Sequence, residues 1–309
     1  MQKALLFLLL SAELLTPSPL FLPVSCSPGS PVRRDAAVFT LHKEVEEARI
    51  SFSVRDTHRK LVRGLTRDDF TVLSDGQPVA AITSFYRHEG LPLRLVLALD
   101  TSDSMRRHIA AEEQAARAFL AQIIRPEMDK VSVVTFAAKS RVRDGAERGL
   151  TPTASRNLKI EGPTALYDTI YGFSRELMAT AEPVPVRRVM VVLSDGEDNW
   201  SQHNLDETIV MAQQAEVVIY TVTAHSHRFE FAGDQVLRRL AEATGGQAFV
   251  LSHYDSLSKV LAAIEDELRA DYVVGFRPPG AICGFHSVKI APHDRKLKAR
   301  AKSGYYDGE

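Results

Sequence analysis

Four stretches of this chain are almost continuously apolar: Leu93 to Leu99, broken only by Arg94, then Val131 to Phe136, Val189 to Leu193 and Val217 to Val222. A strand with one wet face alternates apolar and polar residues. A strand without that alternation is covered on both faces, as in a parallel sheet layered between helices. Helical periodicity separates the runs, with Met105, Ile109, Ala116, Phe119 and Ile123 in one set, Leu166, Ile170, Phe173 and Leu177 in a second, and Leu257, Val260, Ile264 and Leu268 in a third. Spacings of three and four place each set on a single helix face. Strand alternating with helix predicts a doubly wound α/β domain over residues 90–270.

The flanks follow a different grammar. Ala48, Ile50, Phe52 and Val54 alternate with Arg49, Ser51 and Ser53, the pattern of a half-buried strand. Thr66-Arg67-Asp68-Asp69 reads as a capped turn leading into Phe70-Thr71-Val72-Leu73, and Asp75-Gly76 supplies the positive φ of a tight hairpin. Beyond Ala270, Tyr272 to Phe276 and His286 to Ile290 are short β segments, and Leu297, Ala299 and Ala301 alternate with Lys298, Arg300 and Lys302. Neither flank has enough chain to bury a core by itself. Residues 36–88 and 271–306 are therefore expected to pair into one small all-β sandwich, with the α/β domain inserted between its halves.

Composition bounds the function. With 45% apolar and 25% charged residues the chain folds, and 38 Lys and Arg against 39 Asp and Glu give a net charge of -1. No global field gathers nucleic acid or anionic lipid. Two cysteines, Cys26 and Cys283, exclude a disulfide scaffold and a cysteine-rich metal site.

Residues 1–30 read as a signal peptide: Lys3, the apolar run Ala4 to Leu10, then the small residues Ser25, Cys26 and Ser27. Glu13, Pro17, Pro19 and Pro23 make the segment a poor membrane-spanning helix, so the mature chain is expected to carry no transmembrane helix. Export to periplasm, cell envelope or extracellular space follows. Lipidation of Cys26 is the lesser alternative, because Pro23 stands where a lipoprotein signal carries an aliphatic residue. With Cys26 removed or lipidated, Cys283 has no intrachain partner.

In open α/β sheets ligands collect beyond the carboxyl ends of the strands. Three loops there are rich in hard oxygen donors: Asp100-Thr101-Ser102-Asp103-Ser104, Gly162-Pro163-Thr164 and Ser194-Asp195-Gly196-Glu197-Asp198. Two carboxylates and three hydroxyls suit a small hard dication. Singly, each residue is an ordinary helix cap or turn former; jointly they form a set. Asp100, Ser102, Ser104, Thr164 and Asp195 are the candidate metal ligands.

Enzymes are the principal rival class. An aspartate-nucleophile phosphatase needs a second acid where Ser102 stands, and no Gly-x-Ser-x-Gly elbow, phosphate-binding Gly-Lys loop or His-Glu-x-x-His occurs. Ser194 has no base near it in sequence. His225 and His227 are a two-residue pair without further ligands, Arg106, Arg107 and His108 form a basic cluster next to the first loop, and Trp200 suits either helix packing or a partner contact.

From about Leu93 to Leu268 the chain resembles a von Willebrand factor A domain, since Asp100-x-Ser102-x-Ser104, Thr164 and Asp195 match all five positions of that family's metal-ion-dependent adhesion site. The resemblance implies a Rossmann-like, mostly parallel sheet binding Mg²⁺, Mn²⁺ or Ca²⁺, with a partner protein's Asp or Glu carboxylate as the last ligand. Pro163 departs from the family pattern, in which a second glycine commonly precedes the threonine. Val62-Arg63-Gly64-Leu65-Thr66, Asp69-Phe70-Thr71-Val72, Asp75-Gly76 and Ser303-Gly304-Tyr305-Tyr306 resemble a group of exported von Willebrand A-related proteins common in acidobacteria. The expected function is thus an exported, non-catalytic, metal-dependent protein-binding module. The alternatives are a hydrolase or other enzyme at the same metal site, or a metal-stabilised structural or switch domain.

Overall fold

The computed structural model describes residues 47–87, 90–107, 109–144, 162–224, 231–251, 256–278 and 284–307, which lie in one unit spanning Thr40–Glu309. The expected signal peptide, Cys26, His108, His225, His227 and Cys283 fall outside the described residues, as do the side chains of Arg106 and Arg107.

The N-terminal flank forms β1 (Ala48–Arg55), β2 (Phe70–Ser74), β3 (Gln77–Pro78) and β4 (Ile82–Arg87). A short 3-10 turn, Arg67–Asp69, precedes β2, and the Asp69 carboxylate accepts from both the N–H and the hydroxyl of Thr66 at 2.7 and 3.0 Å. The Asp-Gly hairpin joins β2 to β3 with φ of 48° at Asp75 and 76° at Gly76, the two positive values that a tight two-residue turn requires.

The central segment supplies β5 (Leu93–Asp100), α1 (Ile109–Ile123), β6 (Lys130–Phe136), β7 (Ser140–Asp144), α2 (Leu166–Ala179), β8 (Arg187–Leu193), α3 (Leu205–Gln214), β9 (Val217–Ala224), α4 (Ala232–Thr244), β10 (Ala248–Leu251) and α5 (Leu257–Ala270). Its strands make a sheet of order β10-β9-β8-β5-β6-β7, parallel except for the β6–β7 edge pair. The unbroken apolar runs are explained by the two cores. Leu93, Leu95, Leu97 and Leu99 face α1 and α5, packing on Phe119, Ile123, Leu261 and Ile264. Val96 and Ala98 face the other way, onto Leu166, Ile170, Ile209, Leu237 and Leu240 of α2, α3 and α4. Each such large side chain buried contributes about 1.5–3 kcal/mol, so the centre of this sheet is the most strongly specified part of the fold. β7, α4 and β10 were not among the expected elements: β7 is a five-residue edge strand, α4 buries a narrow stripe around Leu237, Leu240 and Ala241, and β10 has four residues, too few to show a period.

The C-terminal flank adds β11 (Tyr272–Phe276), β12 (Gly284–Pro292), β13 (Lys298–Ala301) and β14 (Gly304–Asp307). Both flank sheets mix the two ends of the chain, with orders β13-β1-β11-β4 and β14-β12-β2-β3. β1 lies antiparallel between β11 and β13, with Ile50 opposite Val274 and Val54 opposite Ala299. Between these sheets sits a third core of Ile50, Phe52, Phe70, Val72, Tyr272, Val274, Phe276, Val288 and Ile290. Its aromatic centre is tight: Phe52 meets Phe70 edge-on at 5.0 Å and stacks on Tyr272 at 5.5 Å. The fold is therefore an α/β domain with a mostly parallel, helix-covered sheet, carried on a sandwich built from both flanks.

Candidate functional site

Parallel pairing sets the site. β5 and β8 are neighbours in register, with Leu99 opposite Leu193, so their carboxyl ends deliver Asp100 and Ser194 side by side. Asp100 is fully buried and its two oxygens are both engaged: Oδ1 accepts from the Ser102 N–H at 2.8 Å and Oδ2 from the Ser194 hydroxyl at 2.6 Å. Burial pushes the Asp100 carboxyl up to about 6, against the hydrogen bonds from Ser194 and Ser102, and the nearby negative charge of Asp195 adds to the rise. A carboxylate held this way in an apolar setting needs a positive charge nearby to stay ionised comfortably.

The Asp100 turn is pinned from the other side by the Thr101 N–H, which donates to the Phe136 carbonyl of β6 at 2.8 Å. It brings the Ser102 and Ser104 hydroxyls to 3.0 Å from each other. Ser102 is buried and Ser104 exposed, so the pair leads from the interior to the surface.

Thr164, also buried, is fastened to the third loop by its backbone. Its N–H donates to Asn199 Oδ1 at 2.8 Å, and its carbonyl accepts from the N–H groups of Asn199 and Trp200, both at 3.0 Å. Ala165 N–H donates to the Ala137 carbonyl at 2.8 Å, tying the same segment to the end of β6. Asp198 caps the start of α2, its Oδ2 accepting from the Tyr167 N–H at 2.9 Å and the Ser201 hydroxyl at 2.6 Å. The second and third loops thus act as one rigid piece, and Pro163 sits in it without displacing Thr164 from these bonds.

Asp195 is buried, with Oδ1 accepting from the Glu197 N–H at 3.1 Å. Its loop is held by backbone contact with α4. A Cβ on Gly233 would stand 2.1 Å from the Asp195 carbonyl oxygen, and one on Gly196, where φ is 80°, would stand 2.3 Å from the Gly233 carbonyl oxygen.

The donors fit a hard cation. Thr164 Oγ1 and Asp195 Oδ2 make no hydrogen bond to the described residues, and neither is fully enclosed, so both are open to an outside ion. Among the described residues no three His, Cys, Asp or Glu side chains gather, so no all-carboxylate or imidazole centre competes with this hydroxyl-rich set.

Three supporting roles are not readable from the sequence. Ser194 is wholly buried and spends its hydroxyl on Asp100, which makes it a brace. Asn199 clamps Thr164, and Gly233 gives the Asp195 loop room. An Asn or Gly in a loop carries no signal of such a partner, because the partner lies tens of residues away. Trp200, the single tryptophan, is 60% exposed, and its backbone N–H holds it beside Thr164.

The comparisons agree with this architecture. The von Willebrand factor type A domain family model matches residues 95–263. The chain is similar to the von Willebrand factor type A structure from Catenulispora acidiphila, at 13% identity and a TM-score of 0.51, covering 85% of this chain and 75% of that one. It is also similar to the ArnB paralog VWA2 from Sulfolobus acidocaldarius, at 16% identity and a TM-score of 0.49, covering 84% and 76%. A third similar structure is proximal thread matrix protein 1 from the mussel byssus with a zinc-occupied MIDAS motif, at 17% identity and a TM-score of 0.49, where 63% of this chain matches 49% of that one. The chain therefore spans about half the length of the mussel protein. No curated protein matches it. With more than half of its residues inside the matched family and the fold in agreement, this chain belongs to the von Willebrand factor type A domain family, a family of metal-binding protein-interaction modules.

Proposed function

We propose that Asp100, Ser102, Ser104, Thr164 and Asp195 hold one divalent cation, Mg²⁺ or Mn²⁺ with Ca²⁺ a further candidate, and that the chain binds a partner protein through an Asp or Glu carboxylate. The observation that carries this reading is that the five candidate donors stand on three loops fastened to one another, Asp100 to Ser194 and Thr164 to Asn199, with the Ser102 and Ser104 hydroxyls 3.0 Å apart and the buried Asp100 near enough to Asp195 to feel its charge. When bound, the cation supplies positive charge and a coordination position for an outside anion. The residues of the chain orient the donors and exclude water beneath them: Ser194 fixes Asp100, Asn199 fixes Thr164, and the α4 backbone fixes the Asp195 loop. The two carboxylates formally balance the dication, so an outside carboxylate is drawn by the open coordination position on the ion rather than by a net positive charge of the site. We extend the reading to an exported module, with residues 1–30 as signal peptide, 90–270 as the binding domain, and 36–88 with 271–306 as its β support. Among the described residues no helix is long and apolar enough to cross a membrane.

Trp200 provides the test, because its backbone bonds to Thr164 and it is the one tryptophan in the chain. Titration with Mg²⁺ is expected to change its fluorescence saturably, chelator to reverse the change, and Asp100→Ala to abolish it while far-ultraviolet circular dichroism stays native. Absence of any response by fluorescence and by calorimetry with Mg²⁺, Mn²⁺ and Ca²⁺ sinks the reading.

A further inference from the structure

At the opposite end of the sheet from the candidate metal ligands, by the amino ends of β8 and β9, a cavity of about 530 Å³ opens between the α/β layer and the sandwich. That volume lies in the range of small-ligand pockets. The α/β layer contributes Met178 of α2, Val184 of the loop before β8, Arg188 of β8, and Glu216 and Val218 at the start of β9, while the sandwich contributes Lys302, just past β13. Most of the charge around it is already paired. Arg49 holds Glu47 at 2.9 Å, Glu182 takes Arg94 in bonds of 2.5 and 2.6 Å, and Arg187 pairs with Asp271. Arg188 gives its Nε to the Leu177 carbonyl at 3.1 Å and stands 4.0 Å from Glu216. Among the charged residues lining the cavity, Lys302 alone makes no hydrogen bond and no ion pair with the described residues. Burial pushes its amine below the usual 10.5, and the charge of Glu216 pulls the other way without restoring it. An ammonium drawn out of water without a partner is unfavourable, and an anion entering the cavity relieves it. The apolar side is held in place. Met178 is 41% and Val184 50% exposed, and Val184 stands between Pro183 and Pro185, whose fixed φ angles stiffen the loop that the Glu182–Arg94 bonds anchor.

We propose that this cavity binds a small organic acid, a monocarboxylate whose charge goes to Lys302 and Arg188 and whose apolar body covers Met178, Val184 and Val218. With the other pairs closed, Lys302 and Arg188 against Glu216 leave a single positive charge. One carboxylate balances that charge, whereas a phosphate dianion exceeds it. The site lies at the other end of the sheet from the candidate metal site and works without it.

The test uses the full chain in EDTA, so that no cation at the candidate metal site can hold the acid instead. Butyrate, hexanoate, octanoate and phenylpropionate are titrated by calorimetry, each beside the alcohol of the same carbon skeleton, with inorganic phosphate as a further probe. The best acid is expected to bind one to one and about tenfold tighter than its alcohol, as charge-assisted hydrogen bonds allow. Lys302→Met, which keeps an apolar stem and removes the charge, is expected to abolish that preference, and Lys302→Arg to retain it, both variants first being shown to keep the parental circular dichroism. Acetylation of Lys302 by acetic anhydride, followed by peptide mass spectrometry, is expected to slow about tenfold when the acid is bound and to be unaffected by the alcohol. The proposal is overturned if none of the acids binds, if acid and alcohol bind alike, if phosphate binds tighter than every acid, if Lys302→Met keeps the preference, or if a bound acid leaves Lys302 unprotected.

Discussion

At the scale of single residues, the site depends as much on what is missing as on what is present. Gly233 lies in a helix, where replacement by alanine ordinarily stabilises by about 1 kcal/mol. Here the new Cβ would stand 2.1 Å from the Asp195 carbonyl oxygen, a distance that backbone must move to relieve. The contact wins over propensity, and Gly233→Ala is expected to destabilise by about 1–3 kcal/mol. Since the displaced atom belongs to a candidate ligand, the same variant should weaken Mg²⁺ binding although it removes no ligand. Thermal unfolding and a Trp200 titration on one sample check both halves, and a more stable variant with unchanged metal affinity would show that the loop and α4 do not touch this closely. The five candidate donors are proposed from the sequence because hydroxyl and carboxylate types recur where strands end. Ser194, Asn199 and Gly233 are not, since their roles are defined by partners distant in the chain.

At the scale of elements, the end of α1 is tied to the start of β5 through Asp129. Its Oδ1 accepts from the Leu93 N–H and its Oδ2 from the Arg125 N–H, both at 2.8 Å, with the Arg125 guanidinium bridging the carboxylate. Burial pushes this carboxyl up, but the hydrogen bonds from Arg125 and the two backbone N–H groups outweigh it and hold the group below its usual 3.8. An aspartate depressed in the folded state stabilises at pH above its unfolded value, and the contribution disappears as pH falls through the folded value. Asp129→Asn is therefore expected to cost about 2 kcal/mol at pH 7, the worth of charge-assisted bonds. The gap to the parent chain should close below pH 3.8. Urea denaturation at a series of pH values measures this, and a gap that is constant across the series would contradict the assignment. Periodicity located α1, α2 and α5 because each buries a broad apolar face. α4 escapes the apolar pattern because its buried face includes Gly233, Asp234 and Thr244 beside Leu237, Leu240 and Ala241.

At the scale of the molecule, Glu267 of α5 joins the α/β layer to the sandwich. It is 1% exposed and is contacted by Arg55 of β1 at 2.6 Å, by Arg300 of β13, and by the Tyr220 hydroxyl of β9 at 2.8 Å. Nearby, Arg187 of β8 pairs with Asp271 just before β11, both buried. Removing one member of such a network strands the others in low dielectric. Glu267→Gln is expected to cost about 3–5 kcal/mol, read as a lower denaturation midpoint without loss of the Mg²⁺ response at low temperature. By the same reasoning residues 90–270 expressed alone should unfold at a lower temperature than the full chain, because Glu267 then loses Arg55 and Arg300. Equal melting of the two would mean that the sandwich contributes nothing to the α/β layer.

The sequence by itself determined burial and donor chemistry. Runs without alternation required a sheet covered on both faces, spacings of three and four required helices to cover it, and oxygen-rich loops at strand ends offered donors of the kind that suit a hard cation. These are local properties, written in the identity of each residue and its near neighbours. Only the tertiary structure decided which segments meet: that β1 lies between β11 and β13, that Asn199 reaches back to Thr164, and that Gly233 makes room for Asp195. A buried face states that it must be covered and not by what, and the choice of cover is made by packing among elements far apart in the chain.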